Sequence, residues 1–218
     1  MVDDAKLRTD VEAELEWDPR FDSRQIGVAV KNGIVALSGQ VSTYMQRRAA
    51  EEAALAVAGV RAIANDIVIE LPWDSRRSDA DIADSALEAI SAHVALPASA
   101  LKIIVRSGWI TLDGEVPFWY QKNAAESAVS ALRGVRGITN NIAIRPSASA
   151  ADIQTRIEDA FRRRAHIDAQ NIRVHATGST VTLEGQVHSW QEREQAKAAA
   201  WQAPGVSQVL DKLTVHPN

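Results

Sequence analysis

The chain has no cysteine, which excludes disulfide staples, thiolate metal sites, Fe–S clusters and cysteine nucleophiles, and leaves nothing to mark an oxidising compartment. Aromatic residues are scarce, at 5%. No apolar run approaches the roughly 20 residues that a membrane-crossing helix needs. The nearest, Ala53 to Val60, is alanine-rich and contains Gly59. Positive charge is not in excess: 24 Lys+Arg stand against 28 Asp+Glu, for a formal net charge of −4. Nonspecific nucleic-acid binding is driven by counterion release at Lys and Arg, so this balance disfavours it. Arg162-Arg163-Arg164 reads as a solvated helix face. The acidic surplus belongs to residues 1–76, which hold 9 basic and 13 acidic groups, whereas 77–147 balance at 7 and 7 and 148–218 at 8 and 8. The opening MVDDAKLRTDVEAELEWD is acidic and polar where an export signal is basic and then apolar. A cytoplasmic protein, at most peripheral to the membrane, is the expectation.

What fills the 218 residues is a repeat. Gly39, Gly114 and Gly185 are each followed two places later by valine, at spacings of 75 and 71. The same offsets relate Gly59, Gly134 and Gly205, and Leu37, Leu112 and Leu183. They hold from Leu7, Ile82 and Ile153 to Ile69, Ile144 and Val215, so three units are expected, over 3–71, 78–146 and 149–217. Each unit is short enough to bury only about 60% of its unfolded surface, and contacts between units matter for stability. The linkers around Pro72–Ala80 and Pro146–Ala151 are short, which restricts the orientations of the units.

Within a unit the hydrophobic period changes in a fixed order. Leu7, Val11, Leu15, then Ile82, Ala86, Ile90, then Ile153, Ile157, Phe161 form one stripe of an amphipathic helix. Ser78-x-x-Asp81 and Ser149-x-x-Asp152 have the form of capping boxes ahead of the second and third stripes. Alternating positions such as Ile26, Val28, Val30 and Val35, Leu37, Val41 then predict a hairpin, with turns at Asn32-Gly33, Ser107-Gly108 and Gly178-Ser179. Gly39, Gly114 and Gly185 fall on the core-facing parity, which predicts a helix backbone passing close overhead. A small-residue helix follows, capped by Thr43-x-x-Gln46 in the first unit and Ser189-x-x-Glu192 in the third. Gly59, Gly134 and Gly205 are expected at its C′ position. A last strand, Ile63, Ile67, Ile69 and its equivalents, closes the unit. The fold class is α+β: three αββαβ units, each a small three-stranded mixed sheet packed by two helices.

The hairpin strands LSGQV, LDGEV and LEGQV, and the tails GVRAIANDIVI, GVRGITNNIAI and GVSQVLDKLTV, resemble the BON domain, three times over almost the whole chain. That resemblance implies an αββαβ domain found in bacterial osmotic-shock proteins, secretins and other envelope-associated proteins, with a proposed role in binding phospholipid surfaces or mediating contacts. It brings no common catalytic residues.

The repeat also speaks to chemistry. Positions identical in all three copies are Gly, Leu, Val and Ala, which define backbone and core and cannot supply a shared reaction. One polar position recurs, Asn65, Asn140 and Asp211, and is expected to hydrogen-bond nearby backbone at a bulge. A ligand role is its alternative. His175 and His188 lie too far apart along the third hairpin to face each other, and His93, His166 and His216 have no partner at metal-ligand spacing. No metal or cofactor is expected. G-x-S-x-G, P-loop and G-x-G-x-x-G motifs are absent from the sequence.

Tyr44, Trp119 and Trp190 are equivalent residues at the start of the second helix, and Pro117, Phe118 and Tyr120 enlarge the middle cluster. With Lys122 and Arg193 nearby, these aromatics suit a lipid headgroup boundary or a protein interface. Their alternative is packing on their own unit or between neighbouring ones. The expected function is a non-enzymatic binding or scaffold protein linked to osmotic or envelope stress, touching phospholipid or a protein partner and free to form oligomers. A rival is a small-ligand or cation sensor of the potassium type, built on backbone carbonyls at a domain junction. An enzyme ranks third, since it needs a polar cleft with convergent titratable groups.

Overall fold

A computed structural model describes residues 3–145, 149–164 and 167–216. The expected unit ends at 146 and 217, the first residues of the second linker, and His166 lie outside the described residues. The first repeat runs α1 (Asp4–Trp17), β1 (Ile26–Lys31), β2 (Ile34–Val41), α2 (Tyr44–Ala56) and β3 (Ala62–Ile69). The second runs α3 (Asp79–Ala92), β4 (Leu101–Arg106), β5 (Trp109–Val116), α4 (Trp119–Ser130), β6 (Gly137–Asn140) and β7 (Ala143–Ile144). The third runs α5 (Ala150–Arg163), β8 (Ile172–Thr177), β9 (Thr180–Val187), α6 (Trp190–Trp201) and β10 (Gln208–Val215). The chain gathers into two compact units, Met1–Glu88 with Ile104–Ile110 and Val129–Thr139, and Ala89–Ile103 with Thr111–Ala128 and Asn140–Asn218. The middle repeat contributes to both.

Each sheet is centred on the second hairpin strand. In the first repeat β2 pairs antiparallel with β1 and parallel with β3, and β9 does the same with β8 and β10 in the third. In the middle repeat the last strand is broken into β6 and β7, both paired to β5. Asn141 and Ile142 interrupt it, while the Asn141 N–H still donates to the Leu112 carbonyl at 2.8 Å. The helical stripes read from sequence are the buried faces: Leu7, Val11 and Leu15 on α1, and Ile153, Ile157 and Phe161 on α5, meet the inward residues of β2 and β9. The alanines of α2 and α6 close the same cores. Burying each large aliphatic side chain contributes about 1.5–3 kcal/mol, so this single layer of packing carries most of the stability of a repeat.

Two expectations about glycine need correction. Gly39, Gly114 and Gly185 do face inward, but the backbone pressed against them is not that of an overlying α-helix. Their φ angles are +118°, +138° and +133°. A Cβ there would strike the carbonyl oxygens of Gln25, Ala100 and Asn171, the residues that lead into the first hairpin strand. Gly59, Gly134 and Gly205 lie beyond C′, at the third position of a turn closed by Val60 to Val57, Val135 to Leu132 and Val206 to Ala203. With φ of +99°, +90° and +84°, that position suits a type II turn.

The hairpin turns differ between repeats. Asn32 and Ser107 adopt positive φ, and in both cases an aspartate from the first turn of the preceding helix receives the turn's N–H groups. Asp4 accepts from Asn32 and Gly33 at 2.7 and 3.1 Å, and Asp79 from Ser107 and Gly108 at 2.8 and 2.9 Å. The third repeat has Ala150 at that place and turns through Gly178-Ser179.

The two kinds of glycine strain separate by experiment. Gly185→Ala meets both an adverse φ and a backbone carbonyl, and it is expected to cost about 2–3 kcal/mol in urea unfolding. Gly178→Ala has open space around its new Cβ and only the left-handed penalty of about 1–2 kcal/mol to bear. Equal losses from the two would remove the carbonyl contact as the cause.

Candidate functional site

The start of the second helix is fixed by recurring polar side chains. Thr43 Oγ1 accepts from the Gln46 N–H at 3.2 Å, and Ser189 Oγ from the Glu192 N–H at 3.1 Å. The return bond reaches one residue further back than a capping box does: Ser42 N–H donates to Gln46 Oε1 at 2.9 Å, and His188 N–H to Glu192 Oε2 at 2.8 Å. The middle repeat places Gln121 at the same position, accepting from the Phe118 N–H at 3.3 Å. Gln121 and Glu192 are buried, and their second polar atoms hold the loop before the hairpin. Gln121 Nε2 donates to the Ala95 carbonyl at 2.7 Å, and the Asp168 N–H donates to Glu192 Oε1 at 2.7 Å. The position recurs at offsets of 75 and 71, a signal the sequence reading used for apolar residues alone.

These caps aim three equivalent aromatics at three different surroundings. Tyr44 is half-buried and packs on the first core. Trp119 is stacked on Trp201, with ring centroids 4.6 Å apart and planes at 29°. Beside that stack the Gly205 N–H donates to the Pro117 carbonyl at 2.8 Å. Phe118 leans on Tyr120 at 5.4 Å between ring centroids, and the Tyr120 side chain stays exposed. Trp190 is 65% exposed, with the Arg193 guanidinium 4.8 Å above its ring.

The recurring polar position on the last strand ties that strand to the second helix. Asn65 Nδ2 donates to Glu51 at 2.8 Å, and Asn140 Nδ2 donates to Glu126 at 3.1 Å and to the Lys122 carbonyl at 2.9 Å. In the third repeat the charges are exchanged. Asp211 accepts from Arg193 Nε at 2.8 Å and lies 3.9 Å from the Lys197 ammonium, the residue equivalent to Glu51 and Glu126. In all three the same side chain also accepts from the N–H two residues on, at Ile67, Ile142 and Leu213. The register of β2 with β3 and of β9 with β10 is unbroken, so in the first and third repeats this backbone bond forms without the expected bulge.

Sequence reasoning passed over the most exposed aromatics. Trp17 and Trp73 are 83% and 85% exposed. Trp73 opens a short 3-10 turn (Trp73–Ser75), and the Arg76 guanidinium sits 5.8 Å from its ring. Arg76, Arg77 and Arg136 line a cleft of about 430 Å³ beside the Ser107-Gly108 turn. Backbone carbonyls orient two of them: Arg77 Nη1 donates to Asp74 and Arg76 at 2.8 Å each, and Arg76 Nε to Leu71 at 3.4 Å. Among the described residues none of the three forms an ion pair. The nearby carboxylates have other donors: Asp79 holds the turn, and Asp81 accepts from the Ser78 hydroxyl at 2.7 Å. The Ser78 hydroxyl, the Ser78 N–H and then the charge of Arg77 hold the Asp81 carboxyl below its usual range. Among the described residues no group of three or more His, Asp or Glu is placed to hold a metal ion. No helix among them is long and apolar enough to cross a membrane.

The charge exchange between strand and helix makes a testable pair. Lys197→Glu puts a carboxylate beside Asp211 and is expected to destabilise the third repeat, whereas adding Asp211→Asn recreates the arrangement of the first two repeats. A double-mutant cycle in urea is expected to give a favourable coupling of about 1 kcal/mol or more. Additive losses would show that the two positions act independently.

Comparison with known proteins gives one curated relative, the osmotically-inducible protein Y of Escherichia coli, 25% identical over 145 residues that make up 65% of this chain and 72% of that protein. Two structures of CdsD, a structural protein of the type III secretion system of Chlamydia trachomatis, align with 11% and 12% identity. They cover 100% and 98% of this chain, and 99% and 93% of theirs, at a TM-score of 0.28, too low to bear on fold or role. The BON domain model matches residues 3–70, 78–146 and 149–217, and with this threefold match over nearly its whole length the chain belongs to the BON domain family.

Proposed function

We propose that the chain is a non-enzymatic scaffold of three BON domains, over 3–71, 78–146 and 149–217, that serves in the osmotic-stress response by settling on anionic phospholipid surfaces. The stress assignment is drawn from the osmotically-inducible relative. The cytoplasmic, membrane-peripheral placement expected from the sequence goes with this reading. One observation carries the choice of lipid: a tryptophan 85% exposed stands against Arg76, which lines a cleft with Arg77 and Arg136, and none of the three arginines forms an ion pair among the described residues. An indole prefers the headgroup boundary, and guanidinium groups attract phosphate. Trp190 is a poorer anchor, because its own arginine is already paired with Asp211.

Co-sedimentation with vesicles tests the proposal. Binding is expected to phosphatidylglycerol vesicles at low salt, to fall as salt screens the surface, and to be weak with phosphatidylcholine alone. Each basic residue near an anionic surface contributes about 1 kcal/mol, so Arg76→Ala with Arg77→Ala is expected to lower partitioning about thirtyfold. Trp73→Ala is expected to lower it further. No binding at low salt, or binding indifferent to these three substitutions, overturns the lipid assignment.

A further inference from the structure

The stack of Trp119 on Trp201 joins the first residue of α4 to the last residue of α6, one repeat further along the chain. Two features define the contact: the indole pair, and the hydrogen bond from Gly205 N–H to the Pro117 carbonyl at 2.8 Å. Tyr120, Glu194, Lys197 and Gln202 rim it. The repeat offsets of 75 and 71 identify the same surfaces elsewhere. The surface that receives, Pro117 and Trp119, has its counterpart in His188 and Trp190 of the third repeat. The surface that is received, Trp201 and Gly205, has its counterpart in Leu55 and Gly59 of the first.

Among the described residues neither counterpart has a ring partner, and the Arg193 guanidinium stands over Trp190. Trp190 is 65% exposed and Leu55 is 55% exposed. Gly205 is buried, whereas Gly59 is exposed. Among the described residues neither the Gly59 N–H nor the His188 carbonyl has a hydrogen-bond partner. The first repeat thus carries an unused donor beside an exposed leucine at the end of its second helix. The third carries an unused acceptor beside an exposed tryptophan at the start of its own.

We propose that a second copy of this chain fills the gap, with Leu55 of one molecule seated on Trp190 of the next, in head-to-tail self-association that continues the contact already made between Trp119 and Trp201. The two surfaces differ, so the interface is heterologous and leaves a free surface at each end. Leucine in place of tryptophan shrinks the apolar contact, and the association is weak and concentration-dependent. This inference is independent of the lipid assignment, which rests on Trp73 and its arginines.

Sedimentation velocity on the full chain, without lipid, tests it. The weight-average sedimentation coefficient is expected to rise between about 10 μM and about 1 mM, the range in which small interfaces form. Trp190→Glu and Leu55→Glu each leave a monomer throughout that range, with circular dichroism and thermal midpoint unchanged. If either glutamate variant loses the fold, Trp190→Ser and Leu55→Ser replace the pair with the same expectation. Mixed in equal amounts, the two variants retain one intact surface each and give a heterodimer that grows no further. Wild type that stays monomeric overturns the proposal, including the case in which Trp190→Ala weakens vesicle binding instead. A Leu55→Glu protein that still self-associates also overturns it, since that indicates an isologous contact of Trp190 with itself.

Discussion

At the middle of every repeat a backbone carbonyl occupies the space where a side chain of the neighbouring strand would stand. Gln25, Ala100 and Asn171 each press an oxygen against the glycine of the second hairpin strand. That approach fixes the register of the hairpin, Ile26 against Gly39 and Ile172 against Gly185. The register in turn decides which residues face the helices, because a slip by one would turn every side chain to the opposite face. Val35, Leu37 and Val41 point inward for that reason, and α1 and α2 find a continuous apolar surface to cover. In a repeat this small, with one layer of helices on one sheet, no second core exists to rescue a misplaced strand.

Around that constraint the repeats have diverged in their polar chemistry while keeping its geometry. The strand-to-helix tether is an amide donating to glutamate in two repeats and an aspartate facing arginine and lysine in the third. The tie between first helix and hairpin turn is an aspartate in two repeats and is missing in the third, where the turn itself has changed to Gly178-Ser179. The loop before the hairpin is held by a glutamine amide in one case and a glutamate carboxylate in another. In the tether and in the loop contact, a buried or half-buried polar side chain keeps a partner. Among the described residues no buried side-chain nitrogen or oxygen lacks one.

Much of this was readable in the sequence because periodicity and repetition reinforce one another. The stripes at Leu7, Val11, Leu15 and their equivalents, the hairpin alternation and the tail strands all lie where the pattern places them. The cause of the central glycine was not readable, because a close carbonyl and a close helix leave the same mark on a sequence. Neither was the break at Asn141 and Ile142, which depends on how one strand meets its neighbour. The residues in the proposed interaction surfaces were the hardest. Trp73 and Arg76 stand in a linker with no counterpart to compare, and Trp201 replaces a serine and a leucine in the other repeats. Features that set one repeat apart leave no mark in the pattern that the repeats share.

The stacked indoles of Trp119 and Trp201 have an optical consequence. With ring centroids 4.6 Å apart and planes at 29°, each indole shields a face of the other from water. Trp17, Trp73 and Trp190, by contrast, are exposed at 83%, 85% and 65%. Parting the second and third repeats would wet both rings and change their emission, a reporter of that contact which requires no label.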